Sequence, residues 1–355
     1  MDGAGPVRFG RGTLSELTSA FSFPPGRVLL VTSAAVAALH GAAARRALSG
    51  REVVEIAVDD GESAKTLGTL ERILDAAIAA GVRRDDAVVA MGGGTLTDVA
   101  GLAAALLLRG IAWYAVPTTL VGMADAAIGG KTAVDHPRGK NLIGAFHAPS
   151  GVLVDPDLLD TLPARRFREG IVEIFKALLV GSAGPAKAMA ERLEAISSDR
   201  SVDAFLEEAI RVKRAIVGRD PREAGERRVL NFGHTLGHAI EAAGGYREWS
   251  HGEAVAVGMA AALRLSGEGE GFPREDAAAL ASELLGFAGR SAPAWSSDLE
   301  DAMLRDKKSA AGGLSGVLLA DWGRPVVRIV SPDEWRKGLE AAVAGAGGGR
   351  SPAGS

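Results

Sequence analysis

Three of the six histidines fall close together. His234 and His238 stand four apart in NFGHTLGHAIE, and His251 opens HGEAVAVGM. A spacing of four puts His234 and His238 on one face of a helix. A short loop that folds back would bring His251 beside them. Imidazole nitrogens gathered in this way suit a borderline divalent ion such as zinc, with a carboxylate completing the set. The candidate carboxylate is Glu173 in REGIVEIFKALLVG, with Lys176 three residues on and on the same face. Ile171, Val172, Ile174 and Phe175 surround that pair. Charge in so apolar a helix needs a reason, because removing it from water is costly. Spacing alone leaves the roles open. It makes His234 and His238 both ligands, it equally allows the histidines to pair with Glu241 and Glu253, and it allows Glu173–Lys176 to be a surface pair of little energetic weight.

A second chemistry is signalled by AVVAMGGGTLTDVAGLAAALLLRG, a strand, three glycines and a helix. Glycines let a backbone approach a phosphate, and a helix N-terminus supplies free N–H groups and the positive end of a dipole. The run departs from the dinucleotide fingerprint, since Thr97 stands where the third glycine belongs, and no Lys-Ser/Thr pair makes it a Walker loop. The plain alternative is a tight turn that needs positive φ, with Asp98 as a first-turn acid. Cations accompany these glycines. Lys131, Lys140 and Asn141 lie in GGKTAVDHPRGKNLIGAF, which reads as an irregular loop. Arg109 ends a helix, Lys213 sits on FLEEAIRVKRAIVG, Arg227 and Asn231 precede His234, and Lys307 and Lys308 come late. Singly each reads as a solvated charge. Together, in a chain of net charge −4, they point to an anionic small molecule carrying phosphate and carboxylate.

The elements that must position these groups follow from periodicity. Strands are predicted at Arg27–Thr32, Val53–Val58, Ala87–Met91 and Ile111–Val116, with helices after the first, over 65–80, and from the glycines to Leu108. Such alternation means βαβ units and a mostly parallel sheet. From Pro163 on, helical patterns dominate: 164–180, 185–197, 202–217, 233–243, 252–266 and 274–286, with strand signals only at 316–319 and 325–330. The expected organisation is an α/β domain over 1–162, a mainly helical domain over 163–344 and a flexible tail over 345–355. The chain has 355 residues, 47% hydrophobic and 24% charged, which excludes a disordered protein. Cysteine is absent, so disulfides, thiolate metal sites and cysteine nucleophiles are excluded. The charge balance gives no bulk attraction to nucleic acid or acidic membrane. No signal-peptide core and no stretch long enough to span a bilayer is found, so a cytoplasmic enzyme is expected.

These residues converge on a family. In the stretches DDGESAKT, MGGGTLTDVAGLAAALLLRG, PTTLVGMADAAIGGKTAVDHPRGKNLIGAFHAP, DTLPARRFREGIVEIFK, NFGHTLGHAIE and HGEAVAVGM, spread over about residues 60 to 310, the chain closely resembles the 3-dehydroquinate synthase family. The resemblance implies a Rossmann-like NAD-binding domain, a helical metal domain and an active site in the cleft between them. It implies conversion of 3-deoxy-D-arabino-heptulosonate 7-phosphate to 3-dehydroquinate plus phosphate, with NAD used and regenerated in each turnover. The implied ligands of a zinc or cobalt ion are Glu173, His234 and His251, which makes His238 a substrate-facing residue and revises the spacing argument. Lys176, Lys213, Arg227, Asn231 and His238 match groups around the substrate ring and carboxylate. Lys131, Asn141, His238 and Lys307 (or its neighbour Lys308) match those around the phosphate, with Arg109 supplied by the partner in a homodimer. Asp125 matches a residue near the nicotinamide. The NAD matches are Glu62, Lys65, Gly93, Gly94, Asp98, Thr118, Thr119, Lys140 and Thr161.

The chain departs from the family pattern in two places. Met123-Ala124-Asp125-Ala126-Ala127 replaces the usual Gln-Val-Asp-Ser-Ser, and Asp135 replaces an asparagine, with Ala133 in place of a glycine. An added acid near a phosphate loop weakens phosphate affinity unless it is paired. The rival readings are a cyclase acting on sedoheptulose 7-phosphate or an amino analogue, a metal-dependent polyol dehydrogenase, and a degenerate paralogue without activity. Arg227, Asn231 and His238 favour a substrate that carries a carboxylate.

Overall fold

Long aliphatic runs pay off as strands only where both faces of a sheet are covered. Strands β1 (Val7–Phe9), β2 (Val28–Ser33), β3 (Val53–Val58), β4 (Ala87–Gly92) and β5 (Ala112–Pro117) are joined by β8 (Gly151–Val154) in one six-stranded sheet, ordered β1-β8-β5-β4-β2-β3. Every neighbouring pair in it is parallel. β2 and β4, in the middle, are buried along their whole length. Helices α1 (Ala34–Ala47), α2 (Leu67–Ala79) and α3 (Gly94–Leu106) follow β2, β3 and β4. Ser33 caps α1 by accepting the Val36 N–H at 3.2 Å, and Thr66 caps α2 by accepting that of Thr69 at 3.1 Å. The computed structural model describes residues 4–306 and 314–347. Lys307, Lys308 and residues 348–355 of the expected tail lie outside them.

Between β5 and β8 the chain makes a two-stranded antiparallel hairpin, β6 (Lys131–His136) and β7 (Gly139–Phe146). This corrects the irregular loop read from the sequence. Glycines and charges hide the alternation, but Thr132, Ala133 and Val134 are buried and β6 packs along α3.

The helical elements are α4 (Ala164–Gly181), α5 (Ala183–Ala190), α6 (Leu193–Asp199), α7 (Asp203–Arg219), α8 (His234–Ala243), α9 (His251–Leu265), α10 (Arg274–Ala288), α11 (Ser297–Asp306) and α12 (Pro332–Gly347). The strands β9 (Leu314–Asp321) and β10 (Arg324–Val330) pair antiparallel. The helix predicted over 185–197 is two helices, broken at Arg192 (φ −133°), where no glycine or proline announces it. The chain folds as two compact units, one comprising residues up to Gly170 with Lys213–Glu223, the other Ile171–Val212 with Ala224 onward. The division falls within α4 and again within α7. In the second unit α9 is the core helix: Ala254, Val255, Ala256, Val257, Met259 and Leu263 are all 0% exposed, with α8, α10 and α12 packed on it. Small residues let α8 and α9 approach. A Cβ on Gly258 would fall 2.0 Å from the Gly233 carbonyl oxygen, and one on Gly237 3.1 Å from Val255 Cα. Among the described residues no helix is long and apolar enough to cross a membrane.

Candidate metal centre and dinucleotide turn

Helices α4, α8 and α9 each deliver one donor. Glu173 and Lys176 lie inside α4, 1% and 2% exposed, so theirs is a buried ion pair and not the surface pair that spacing allowed. Lys176 Nζ donates to Glu173 Oε2 at 2.5 Å. Oε1 of the same carboxylate faces His251 Nε2 at 3.4 Å and His234 Nε2 at 3.8 Å. His234 is the first residue of α8, after Gly233 at φ +78°, where a side chain would be strained and would strike Met259 N at 2.7 Å. His251 is the first residue of α9, fixed by a capping box between Ser250 and Glu253. That box engages Glu253 at the start of α9.

Both rings have their second nitrogen engaged. His234 Nδ1 lies 3.2 Å from the Phe232 carbonyl oxygen, and His251 Nδ1 lies 3.1 Å from Glu241 Oε2. These acceptors place a proton on each Nδ1 and turn each Nε2 toward Glu173, where His234 presents a lone pair and His251 carries a second proton that a metal would displace. Donor atoms from Glu173, His234 and His251 all lie within 4.8 Å of one another. Bonds of about 2.0–2.2 Å in a tetrahedral site place ligand atoms roughly 3.3–3.6 Å apart, so the set fits a divalent ion after a small closure. Two imidazoles and one carboxylate also match the donor chemistry of catalytic zinc, which keeps a fourth position open.

His238 does not join this set. Its ring is as near to that of His234 (5.2 Å) as the His251 ring is (5.3 Å), but its donor atoms group with those of Glu241 and His251 instead. Charge follows the same arrangement. Burial and the nearby Lys176 ammonium hold His234 well below the usual imidazole range, which keeps its lone pair free. Burial pulls His251 down too, but hydrogen bonds to Glu173 and Glu241 outweigh it and push the ring up to about 10. Arg227 is buried, on a short 3-10 turn (Glu226–Asn231) that also carries Asn231 and leads toward α8.

The glycine turn belongs to the other unit. None of Gly92, Gly93 and Gly94 has positive φ, so the plain-turn alternative fails. They are needed for close approach: a Cβ on Gly92 would lie 2.8 Å from Leu96 Cδ1, and one on Gly94 2.8 Å from Ala126 Cβ. Ala126, one of the family departures, thus packs on the turn. Gly93 caps α3 with no side-chain acceptor on the first N–H groups, the arrangement a pyrophosphate needs. Around it Lys65 Nζ pairs with Asp98 Oδ2 at 2.5 Å, Glu62 accepts from Thr95 Oγ1 at 2.7 Å, and Lys140 Nζ lies 3.2 Å from Glu62. Burial disfavours the Lys65 charge, but Asp98 and Glu62 more than offset it and hold the ammonium above its usual range. The Thr118 N–H donates to the Gly92 carbonyl at 2.9 Å, and the Thr119 methyl lies 3.2 Å from where a Gly93 Cβ would be. Thr161 Oγ1 lies 3.0 Å from His40 Nε2.

Asp135 is paired. Its Oδ1 accepts the Asn141 N–H at 2.8 Å, and its own N–H donates to the Lys65 carbonyl at 2.8 Å. It ties the hairpin to the segment holding Lys65 and supports Asn141 at φ +57°. Asp125 sits on a single π turn (Gly122–Ala126) and accepts from Lys213 Nζ at 2.5 Å. Lys131 pairs with Glu223, a residue the sequence reading did not single out. Glu223 is hidden in the charge-rich run RDPREAGER, and its positive φ of 56° leaves no trace in residue type. Arg109 is exposed beyond the C-terminal end of α3. The 13 residues of that helix separate it from the glycine turn by roughly 20 Å.

Family models described as 3-dehydroquinate synthase N-terminal and 3-dehydroquinate synthase C-terminal match residues 55–169 and 170–309. The chain belongs to the 3-dehydroquinate synthase family. A relative of that name from Bordetella pertussis (strain Tohama I) is 38% identical over 95% of this chain and 96% of its own. The structure is similar to that of 2-epi-5-epi-valiolone synthase from Streptomyces hygroscopicus subsp. jinggangensis 5008, solved with NAD+ and Zn2+ bound. That protein is 30% identical, with a TM-score of 0.85 and 97% of each chain covered. A 2-deoxy-scyllo-inosose synthase complexed with carbaglucose-6-phosphate, NAD+ and Co2+ is 27% identical, with a TM-score of 0.82 over 94% of this chain and 95% of its own.

Proposed function

We propose that this 3-dehydroquinate synthase family member converts 3-deoxy-D-arabino-heptulosonate 7-phosphate into 3-dehydroquinate and inorganic phosphate, as a carbon–oxygen lyase that uses NAD and a zinc or cobalt ion. The observation that carries the reading is the Glu173–His234–His251 set, buried at Glu173 and His234 and half-buried at His251, with Lys176 holding the outer oxygen of Glu173. NAD, when bound, would supply a reversible acceptor for the hydride of the carbon that bears a ring hydroxyl, the hydroxyl giving up its proton, so the overall reaction is redox-neutral. The ketone formed in the interval acidifies the neighbouring C–H, which permits phosphate to leave. Ring opening and an intramolecular aldol step then close the carbocycle. A bound divalent ion supplies charge stabilisation where the oxidised hydroxyl loses its proton.

The chain's own residues bind and orient. Glu173, His234 and His251 hold the ion. Glu62, Lys65, Gly93, Gly94, Asp98, Thr118, Thr119, Lys140 and Thr161 hold NAD, with Asp125 near the nicotinamide. Lys213, fixed on Asp125, and Lys176 address ring hydroxyls. Arg227, Asn231 and His238 take the carboxylate. Lys131, Asn141 and Lys307 seat the phosphate, which must compete with Glu223 for Lys131. Arg109 comes from the second subunit of a homodimer.

The second reading is a related cyclase acting on sedoheptulose 7-phosphate or an amino analogue, favoured by the fold likeness to 2-epi-5-epi-valiolone synthase. Phosphate release measured side by side from the heptulosonate phosphate and from sedoheptulose 7-phosphate separates the proposal from the sedoheptulose reading. Faster release from the heptulosonate supports the proposal, and release from the sedoheptulose alone contradicts it. Arg227→Ala should impair the carboxylate-bearing substrate strongly, by about 100-fold or more in kcat/KM for a charge-assisted contact. An unchanged rate removes the carboxylate assignment.

A further inference from the structure

We infer that Glu241 is the positioning residue of the metal centre: its carboxylate fixes the His251 ring in one tautomer and one orientation, so that Nε2 is presented to the ion. The inference rests on the metal reading above. Glu241 is 2% exposed, and a carboxylate so placed needs a charge or hydrogen-bond partner. Its Oε2 lies 3.1 Å from His251 Nδ1. It shares one face of α8 with His234 and His238, seven and three residues earlier in the chain. One helix face thus carries a ligand, a substrate-facing imidazole and the carboxylate that aims the remaining histidine.

The two histidine ligands are fixed by different means. His234 is buried, and its Nδ1 is taken by the Phe232 carbonyl, a backbone group that no substitution removes. The His251 side chain is 34% exposed, and the capping box fixes its backbone but not its ring. Glu241 supplies the ring's anchor. A carboxylate that accepts from the distal nitrogen also raises the donor strength of the imidazole toward a metal.

A competing arrangement uses the same atoms: His238, Glu241 and His251 themselves lie within ligating reach of one ion. A neutral imidazole has one lone pair, so His251 serves one set at a time. With Nδ1 held by Glu241, His251 turns Nε2 to Glu173 Oε1, which faces it at 3.4 Å and His234 Nε2 at 3.8 Å, so the ring is oriented to the set containing Glu173.

The test is metal binding by the full-length chain, with Zn2+ affinity measured by chelator competition and Co2+ loading followed by its visible absorption bands. Wild type, Glu241→Gln, Glu241→Ala, His238→Ala and His251→Ala are compared, with the melting temperature of each metal-free protein as the folding control. Zn2+ affinity should fall about 10-fold in Glu241→Gln and up to about 100-fold in Glu241→Ala. The cobalt bands should shift in both, and His238→Ala should keep its affinity. Should the alanine variant not fold, the near-isosteric glutamine decides. Wild-type affinity together with unshifted cobalt bands in Glu241→Gln overturns the inference. Loss of zinc in His238→Ala as complete as in His251→Ala overturns it differently, by making Glu241 a ligand. A wild-type chain that binds no zinc removes the metal reading itself, and the inference with it.

Discussion

Each donor of the candidate centre has its far polar atom occupied: Glu173 by Lys176, His234 by the Phe232 carbonyl, His251 by Glu241. Three side chains from three helices are thereby held with one atom each turned inward, before any ion arrives. The charge states carry a consequence for metal loading. His251 keeps its proton up to about 10, and a metal must displace it, whereas His234 is held well below its usual range and has no proton to lose. Zinc affinity should therefore rise with pH, by about tenfold per unit while His251 remains protonated, and level off above that value. Calorimetry in buffers of different ionisation enthalpy should find about one proton released per zinc near neutral pH. No proton release, or a flat affinity, would contradict the assignment. His251→Ala should abolish turnover and lower bound metal, as read by elemental analysis and phosphate release. Full metal content and full rate would rule it out as a ligand. Residue types and the family resemblance pointed to these donors, while the 3.1 Å contact between Glu241 and His251 depends on a packing that no spacing rule contains.

At the scale of elements, the seam between α8 and α9 brings His234 close to His251. Gly258 meets the Gly233 carbonyl so closely that an added methyl would fall 2.0 Å from it. Gly258→Ala must push the helices apart, with an expected loss of about 1–3 kcal/mol in urea unfolding and weaker zinc binding. A change under about 0.5 kcal/mol, the range of ordinary surface substitutions, would show that the seam does not set the site. The hairpin gives a second test. Asp135→Asn keeps an oxygen to accept the Asn141 N–H, so NAD affinity and stability should hold. Asp135→Ala loses that bond, at about 1 kcal/mol, and should weaken NAD binding through Lys65 and Lys140. Equal behaviour of the two variants would leave Asp135 without this role. The central strands were legible because continuous Val, Leu and Ala runs have few other uses. β6 and β7 were not, since Gly129, Gly130, Gly139 and Gly144 and the intervening charges mask the alternation. β1 has three residues and β8 four, too few to show a period. No glycine or proline marks the break at Arg192.

The molecule as a whole combines a parallel sheet that ends in a glycine turn with a helical unit that gathers three metal donors. The strand–helix alternation of the first half and the helical pattern of the second made that division readable from sequence. The assignment of the return segment Lys213–Glu223 to the first unit was not readable, because nothing local to α7 distinguishes its last turns. A dinucleotide site and a metal site in one chain serve either a dehydrogenase or a cyclase, and the two differ in where the hydride ends. The most direct measurement follows phosphate and reduced nicotinamide together in one reaction containing NAD, zinc and the heptulosonate phosphate. Phosphate released over many turnovers, with no net accumulation of NADH, is the predicted result. NADH that accumulates in step with substrate consumed, without phosphate, would contradict the account.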